Sequence, residues 1–311
     1  MKQAEKMNVL LIGNGVIGSV YASQFALEGH SLWVLAHGER DSKLVKRVIQ
    51  VKDVVLDTVM TAHFSIAELA SSRSFDLVLV AVRLEQLSST FSALRTLTGK
   101  PHILFLGNNP DGHEAIPADL VASVQLGFPG IGGKYKGEII EYMHIAQQAM
   151  VLEKTNSPIS NEIHTVLKCR GFKVEDSSFI DGWLKYHAVF ISCISMALLR
   201  EQADSVKLGN NRELLALMCR SIEEGFGALR KQGVKGVPTS LAVLQHPLLR
   251  PIAIRYWGNL LRSPKGELYF GAHVKHAEAE VLALVTWVMK HSDDTAKPLR
   301  HLHMLLTKLN G

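Results

Sequence analysis

Apolar residues in the first third of the chain fall into short unbroken runs: Val9-Leu10-Leu11-Ile12, Leu32-Trp33-Val34-Leu35, Leu77 to Val82 and Ile103 to Leu106. Runs of this kind suit strands covered on both faces. Between them the period changes to three and four, as in Gly18, Tyr21, Ala22, Phe25 and Ala26, where a helix is predicted with Gly29 as its stop. The Val- and Thr-rich stretch Val48 to Phe64 predicts extra short strands, Ser65 to Leu69 the opening of a helix, and Arg83 to Leu97 another helix. Strands alternating with helices at this spacing predict an α/β fold, a Rossmann-type doubly wound sheet. Ligands of such sheets bind outside the carboxyl ends of the strands, which puts Gly13 to Gly18, Arg83 and Asn108 on one rim.

The pattern shifts after Val121. Gly127 to Gly133 reads as a loop, and Glu138 to Ile145 and Ala149 to Glu153 read as antiparallel strands closing the sheet. A helix over Pro158 to Arg170 and a short strand at Lys173-Val174 complete a domain over 1–177. Beyond Ser178 the periodicity is helical, with one long helix to about Glu201 and others near Arg212 to Gln232, Thr239 to His246, Phe270 to His291 and Pro298 to Leu309. An all-helical second domain, 178–311, is the expectation.

Gly13-Asn14-Gly15-Val16-Ile17-Gly18 is a G-x-G-x-x-G placed directly after a strand and at the head of a helix, the setting in which it binds a dinucleotide. Gly13 permits the turn, Gly15 lets a pyrophosphate approach the backbone and Gly18 lets the helix lie close to the sheet, while the helix start offers free N–H donors. A purely structural glycine turn is the competing reading. The second strand runs into Ala36-His37-Gly38-Glu39-Arg40, followed by Lys43, Lys46 and Arg47. With His37 just past the strand and Arg40 close behind, NADP is favoured, its 2′-phosphate on Arg40; NAD would need Glu39, which comes two residues late.

Composition narrows the function classes. The chain has 311 residues, 47% of them hydrophobic, enough for two cores. Its start, Met1-Lys2-Gln3-Ala4-Glu5-Lys6, has no apolar leader, so a cytoplasmic protein is expected. The apolar stretch Tyr186 to Leu199 is short for a bilayer and suits a buried helix, with a homodimer seam as the alternative. Cys169, Cys193 and Cys219 lack ligand spacing and are expected to be reduced. The net charge of +5 comes from 34 basic and 29 acidic residues without a basic aromatic stripe, which speaks against nucleic acid and suits a phosphorylated cofactor and a small carboxylate. Histidines number 14, yet neither His273/His276 nor His301/His303 has an evident third ligand, so no metal is expected.

Taken in order, GNGVIG, VLVAVRLEQ, FLGNN, GFPGIGGKYKGEI and DGWLKYHAVF resemble the ketopantoate reductase (2-dehydropantoate 2-reductase) family over essentially the whole chain. The resemblance implies an NADPH-dependent reductase of a 2-keto acid, with pantothenate biosynthesis as the setting and Lys185 polarising the carbonyl and protonating the alkoxide. It implies that Asn108 binds cofactor or substrate or holds the lysine, and that Glu267 stands for the family's C-terminal acid; a helix-start carboxylate is the plainer account of Glu267. Four departures follow from the same alignment. Arg83 replaces a lysine after the fourth strand, Val189 replaces a substrate-contacting asparagine, and Arg255 and Asn259 fall where a serine and an aspartate hold substrate hydroxyls. A site that loses polar partners loses its hydroxyl-bearing substrate, so another oxo acid, or a dinucleotide-binding sensor without turnover, stands as the alternative.

Overall fold

In a computed structural model, residues 6–35, 47–68, 73–291 and 299–307 are described. The chain divides into two units, one running to Gly107 and resuming over His113–Ser178, the other formed by Asn108–Gly112 and everything from Phe179.

The first unit is built on β1 (Asn8–Ile12), α1 (Val16–Leu27), β2 (Ser31–Leu35), β3 (Val48–Asp53), β4 (Thr58–His63), β5 (Ser65–Ala67), β6 (Leu77–Val80), α2 (Leu87–Arg95), β7 (His102–Leu106), β8 (Val124–Phe128), β9 (Ile131–Lys136), β10 (Ile139–His144), β11 (Met150–Glu153), α3 (Pro158–Cys169) and β12 (Val174–Ser177). Its main sheet has eight strands in the order β12-β11-β8-β7-β6-β1-β2-β5, with β1 parallel to both β2 and β6. The apolar runs are buried on both faces here, Val9 through Ile12 at 0% exposure, as a central parallel strand requires. The chain leaves β1 toward β2 and returns across it to β6, so the direction of winding reverses between β1 and β6. That reversal is where doubly wound sheets take ligands.

Three expectations for this unit are corrected. Ser65–Ala67 is a strand, paired in parallel with β2 from Trp33↔Ser65 to Leu35↔Ala67; the free ladder at the sheet edge outweighs local helix propensity. The glycine-rich segment Gly127 to Gly133 belongs largely to β8 and β9, with only Pro129 and Gly130 between them. A Cβ at Gly127 would meet Leu152 Cδ2 at 2.8 Å, so this glycine marks strand-to-strand crowding between β8 and β11. Finally, β10 does not close the main sheet but joins a four-stranded sheet, β4-β3-β10-β9. That sheet lies on α1, and Ile49, Val51, Ile140 and Tyr142 share a core with Tyr21 and Phe25. The Tyr21 hydroxyl accepts from the Gly130 N–H at 2.9 Å and fixes the turn into β9.

The second unit contains α4 (Ile180–Arg200), α5 (Ser205–Asn210), α6 (Arg212–Lys231), α7 (Arg250–Arg262), α8 (Ala272–His276), α9 (Glu278–His291) and α10 (Arg300–Thr307). Two helices, α5 and α7, escape the apolar pattern. The first is six residues held by the Asp204 carboxylate, which accepts from the N–H groups of Val206 and Lys207. The second buries only Ala253, Trp257, Gly258 and Leu261, a stripe diluted by arginines. The expected helix from Phe270 to His291 breaks at Ala277, after a π turn over Glu267–Gly271. Helix α4, at 21 residues, is long and apolar enough to cross a membrane, so length does not exclude a span; burial of 78% of its most apolar window inside the fold marks it as a core helix. Cys193 and Cys219 are buried and Cys169 is exposed.

Burial lowers the pKa of four histidines, His30, His102, His144 and His187, the last to about 3. His187 stacks on Trp183 with ring centroids 5.0 Å apart. The folded chain keeps this imidazole neutral while the unfolded chain protonates it near 6.5, so its contribution is intact above pH 6.5 and is lost as the pH falls toward 3. At pH 5 the loss from His187 is about 2 kcal/mol. In His187→Phe, which keeps an aromatic ring, the midpoint of acid unfolding followed by circular dichroism should move to lower pH.

Candidate functional site

The glycine turn belongs to the first unit and sits at the reversal between β1 and β6. Gly13 has φ +94°, and a Cβ there would lie 2.4 Å from the Ala81 carbonyl oxygen, just beyond the end of β6. A Cβ at Gly18 would meet the Gly13 oxygen at 2.2 Å and Leu11 Cδ1 at 2.9 Å, so the first turn of α1 can rest on β1 only without a side chain. Gly15 differs: nothing lies within 4 Å of its Cβ position, and both it and Asn14 are exposed. The first helical hydrogen bond of α1 runs from Ser19 N to Gly15 O, so the N–H groups of Val16, Ile17 and Gly18 are not used within the helix. Val16 and Ile17 turn their side chains into the core. The Asn14 carbonyl accepts from Ser19 Oγ (3.1 Å) and from the Tyr135 hydroxyl (2.8 Å), which ties β9 to the turn. The turn therefore combines a bare backbone face with unspent donors, the requirements for a pyrophosphate.

Arg83 follows Ala81 at the same rim. Its backbone N–H donates to Gln86 Oε1 at 3.3 Å, and its guanidinium is exposed with no partner among the described residues. His37 and Arg40 lie outside the described residues.

In the second unit, the residues that follow β7 are held by helices. Asn108 Nδ2 donates to Glu280 Oε1 (3.0 Å), and Trp287 Nε1 donates to Asp111 Oδ1 (2.5 Å). Glu280 and Trp287 are seven residues apart and so share one face of α9. Asn109 Nδ2 closes the loop on Gly112 O at 2.9 Å, and Gly112, at φ +59°, lies against the Asp181 side chain at the start of α4. Glu280 is 4% exposed, and its second oxygen, Oε2, lies 3.3 Å from His273 Nε2. Lys185, in the second turn of α4, is half-buried, and its ammonium has no hydrogen bond or ion pair among the described residues.

The expected acid and the expected substrate contacts are placed differently from the sequence alignment. Glu267 stands in the π turn and pairs with Lys275 at 2.8 Å; the carboxylate beside Asn108 is Glu280. Arg255 and Asn259 are exposed, flanking the inward-facing Trp257, and Asn259 Oδ1 accepts from Arg262 at 2.6 Å. Val189 is fully buried against Gly225 of α6, where a Cβ would come within 2.5 Å of Val189 Cγ1. Val189 thus lies in the core, while Arg255 and Asn259 face solvent. Glu280 had a signal in the sequence. A carboxylate on the stripe Glu280, Val281, Leu284, Val285, Val288 is a charge on an apolar face, which is rarely buried without a partner. Among the described residues no cluster of histidine, cysteine and carboxylate has the makings of a metal site.

Residues 9–155 match the family model described as ketopantoate reductase PanE/ApbA. No curated protein matches the chain by sequence. Among solved structures, the chain is similar to a PanE/ApbA family ketopantoate reductase from Ralstonia eutropha, with 20% identity, 96% of each chain covered and a TM-score of 0.71. A dimeric ketopantoate reductase from Staphylococcus aureus follows at 14% identity, covering 97% of this chain and 96% of its own, with a TM-score of 0.66. D-mandelate dehydrogenase, solved with NADH and anilino(oxo)acetate, is similar at 12% identity, 96% coverage of each chain and a TM-score of 0.73. The fold is thus that of the ketopantoate reductases: a parallel sheet domain of Rossmann type followed by a helical region.

Proposed function

We propose that this chain, with the ketopantoate reductase match over residues 9–155 and that fold throughout, is a cytoplasmic NADPH-dependent reductase of a 2-oxo acid. The observation that carries the reading is the glycine turn, a bare Gly15 backbone and unspent N–H groups where the sheet winding reverses between β1 and β6. Gly13, Asn14, Gly15, Val16, Ile17 and Gly18 would cradle the pyrophosphate, with Arg83 as a further cation at the rim and His37 and Arg40 toward the 2′-phosphate. A reduced nicotinamide supplies the hydride when bound. Lys185, with no partner among the described residues, would polarise the substrate's carbonyl oxygen and protonate the forming alkoxide. Asn108, gripped through its amide by Glu280, keeps its own oxygen for a ligand or for the lysine.

Ketopantoate, the substrate that would put the enzyme in pantothenate biosynthesis, is the first substrate to try. A second reading is a different oxo acid on the same fold, its carboxylate on Arg83, whose guanidinium is exposed with no partner among the described residues. A homodimer is part of the same proposal.

The test is oxidation of NADPH and of NADH by the purified protein with ketopantoate, 2-oxoisovalerate and phenylglyoxylate. Turnover of one of the three with NADPH preferred by about tenfold or more is the expected outcome. Equal use of NADH would remove the 2′-phosphate assignment to Arg40, and tight NADPH binding with no turnover would leave a sensor.

A further inference from the structure

Strand β9 is fixed to α1 and its leading turn at three points. Before the strand the Gly130 N–H donates to the Tyr21 hydroxyl at 2.9 Å. Within it a Cβ at Gly133 would meet Val16 Cγ1 at 2.9 Å, and near its end the Tyr135 hydroxyl donates to the Asn14 carbonyl at 2.8 Å. The strand does not depend on the last of these, because β9 also pairs with β10 from Ile131↔His144 to Lys136↔Ile139. The Tyr135 side chain is 53% exposed, and a neutral hydrogen bond at such a position adds little to stability. Its effect falls instead on one peptide group of the glycine turn.

The Asn14 carbonyl accepts from two hydroxyls, that of Tyr135 and that of Ser19 at 3.1 Å. Among the described residues no peptide bond is cis, so the C=O and N–H of the Asn14–Gly15 peptide point in opposite directions. Pinning the carbonyl therefore aims the Gly15 N–H the other way, and that N–H has no acceptor among the described residues. A glycine on one side of a peptide lets its plane rotate at small cost. Rotated, this plane would present a carbonyl oxygen, the negative end of its dipole, to a phosphate.

We propose that Tyr135 is a positioning residue for the dinucleotide: together with Ser19 it pins the Asn14 carbonyl and so keeps the Gly15 N–H turned outward for the pyrophosphate. The inference rests on the reading that the dinucleotide lies on the glycine turn. A turn already held with its donor outward spares the ligand the cost of selecting that arrangement, and apparent affinity scales with the fraction of molecules that have it. Ser19, buried in the first turn of α1, grips the oxygen from within the helix, and Tyr135 grips it from the second sheet.

The experiment measures dissociation constants on the full chain without turnover: NADPH by nucleotide fluorescence, and 2′-AMP, which has no pyrophosphate, by competition against it. Tyr135→Phe keeps the ring and removes only the hydroxyl. It should weaken NADPH about fivefold, with 2′-AMP affinity and the melting temperature of the unliganded protein unchanged. Ser19→Ala should weaken NADPH by a similar factor, and the double variant about thirtyfold. Because Ser19 is buried, its effect reports the shared carbonyl and separates positioning from direct contact between Tyr135 and the ligand.

Wild-type NADPH affinity in Tyr135→Phe overturns the proposal, as does an equal loss for 2′-AMP or a Ser19→Ala variant that binds NADPH as the wild type does. Those results leave the glycine-turn reading standing, since the wild type still binds. A wild type that binds no dinucleotide sinks that reading, and this inference with it.

Discussion

Lys185→Ala is expected to lower kcat for 2-oxo acid reduction about a thousandfold, about 4 kcal/mol of transition-state stabilisation, with NADPH affinity unchanged. The residue lies in the second turn of α4, half-buried, with no partner among the described residues that its removal would strand. Folding should therefore be indifferent to the substitution, within about 0.5 kcal/mol. Lys185→Arg keeps charge on the same helix face and should recover part of the rate. Stopped-flow single turnovers at saturating NADPH would report the chemical step directly. A Lys185→Ala enzyme within fivefold of wild type would remove this lysine from the mechanism.

The glycine turn should separate stability from binding. Gly18→Ala brings a methyl group to 2.2 Å from the Gly13 oxygen, with Leu11 and Ala81 at 2.9 and 3.0 Å, and a backbone oxygen in a central turn has nowhere to go. The cost expected is about 3 kcal/mol, read as a fall in melting temperature of roughly 5–10 °C. Gly15→Val meets no atom within 4 Å, and the φ of −69° at this helix cap suits a β-branched residue. Its stability should fall by no more than about 1 kcal/mol, while NADPH affinity drops by at least tenfold, because the side chain fills the face a pyrophosphate must approach. Nucleotide fluorescence titration and thermal melts on both variants give the comparison. Unchanged NADPH affinity in Gly15→Val would place the dinucleotide elsewhere.

Both variants rest on residues that were legible in the sequence, and the reason is local. A turn that must reverse the chain at positive φ within two residues of a strand end leaves glycine at fixed spacing, and the runs around it leave the period of a covered strand. The glycine motif, the parallel sheet and the long helix α4 were read in that way, whereas Lys185 upon it was singled out by the family resemblance. Helices α5 and α7 were not, since one is short and capped and the other hides its stripe among arginines.

The carboxylate that partners Asn108 was not legible, for a different reason. Glu267 and Glu280 both stand in the first turn of a helical segment, and chain distance alone could not choose between them. Only the folded chain brings Asn108 and Glu280, 172 residues apart, to 3.0 Å, and only there does Glu267 find Lys275 instead. The sequence by itself determined the elements whose physics is local: the bare turn, the covered strands and the apolar helix. The tertiary structure alone decided which carboxylate is buried against which amide, and that Val189 packs in the core while Arg255 and Asn259 face solvent. Burying a charge is tolerated only where packing supplies its partners, and packing is not written in the spacing of residues along one segment.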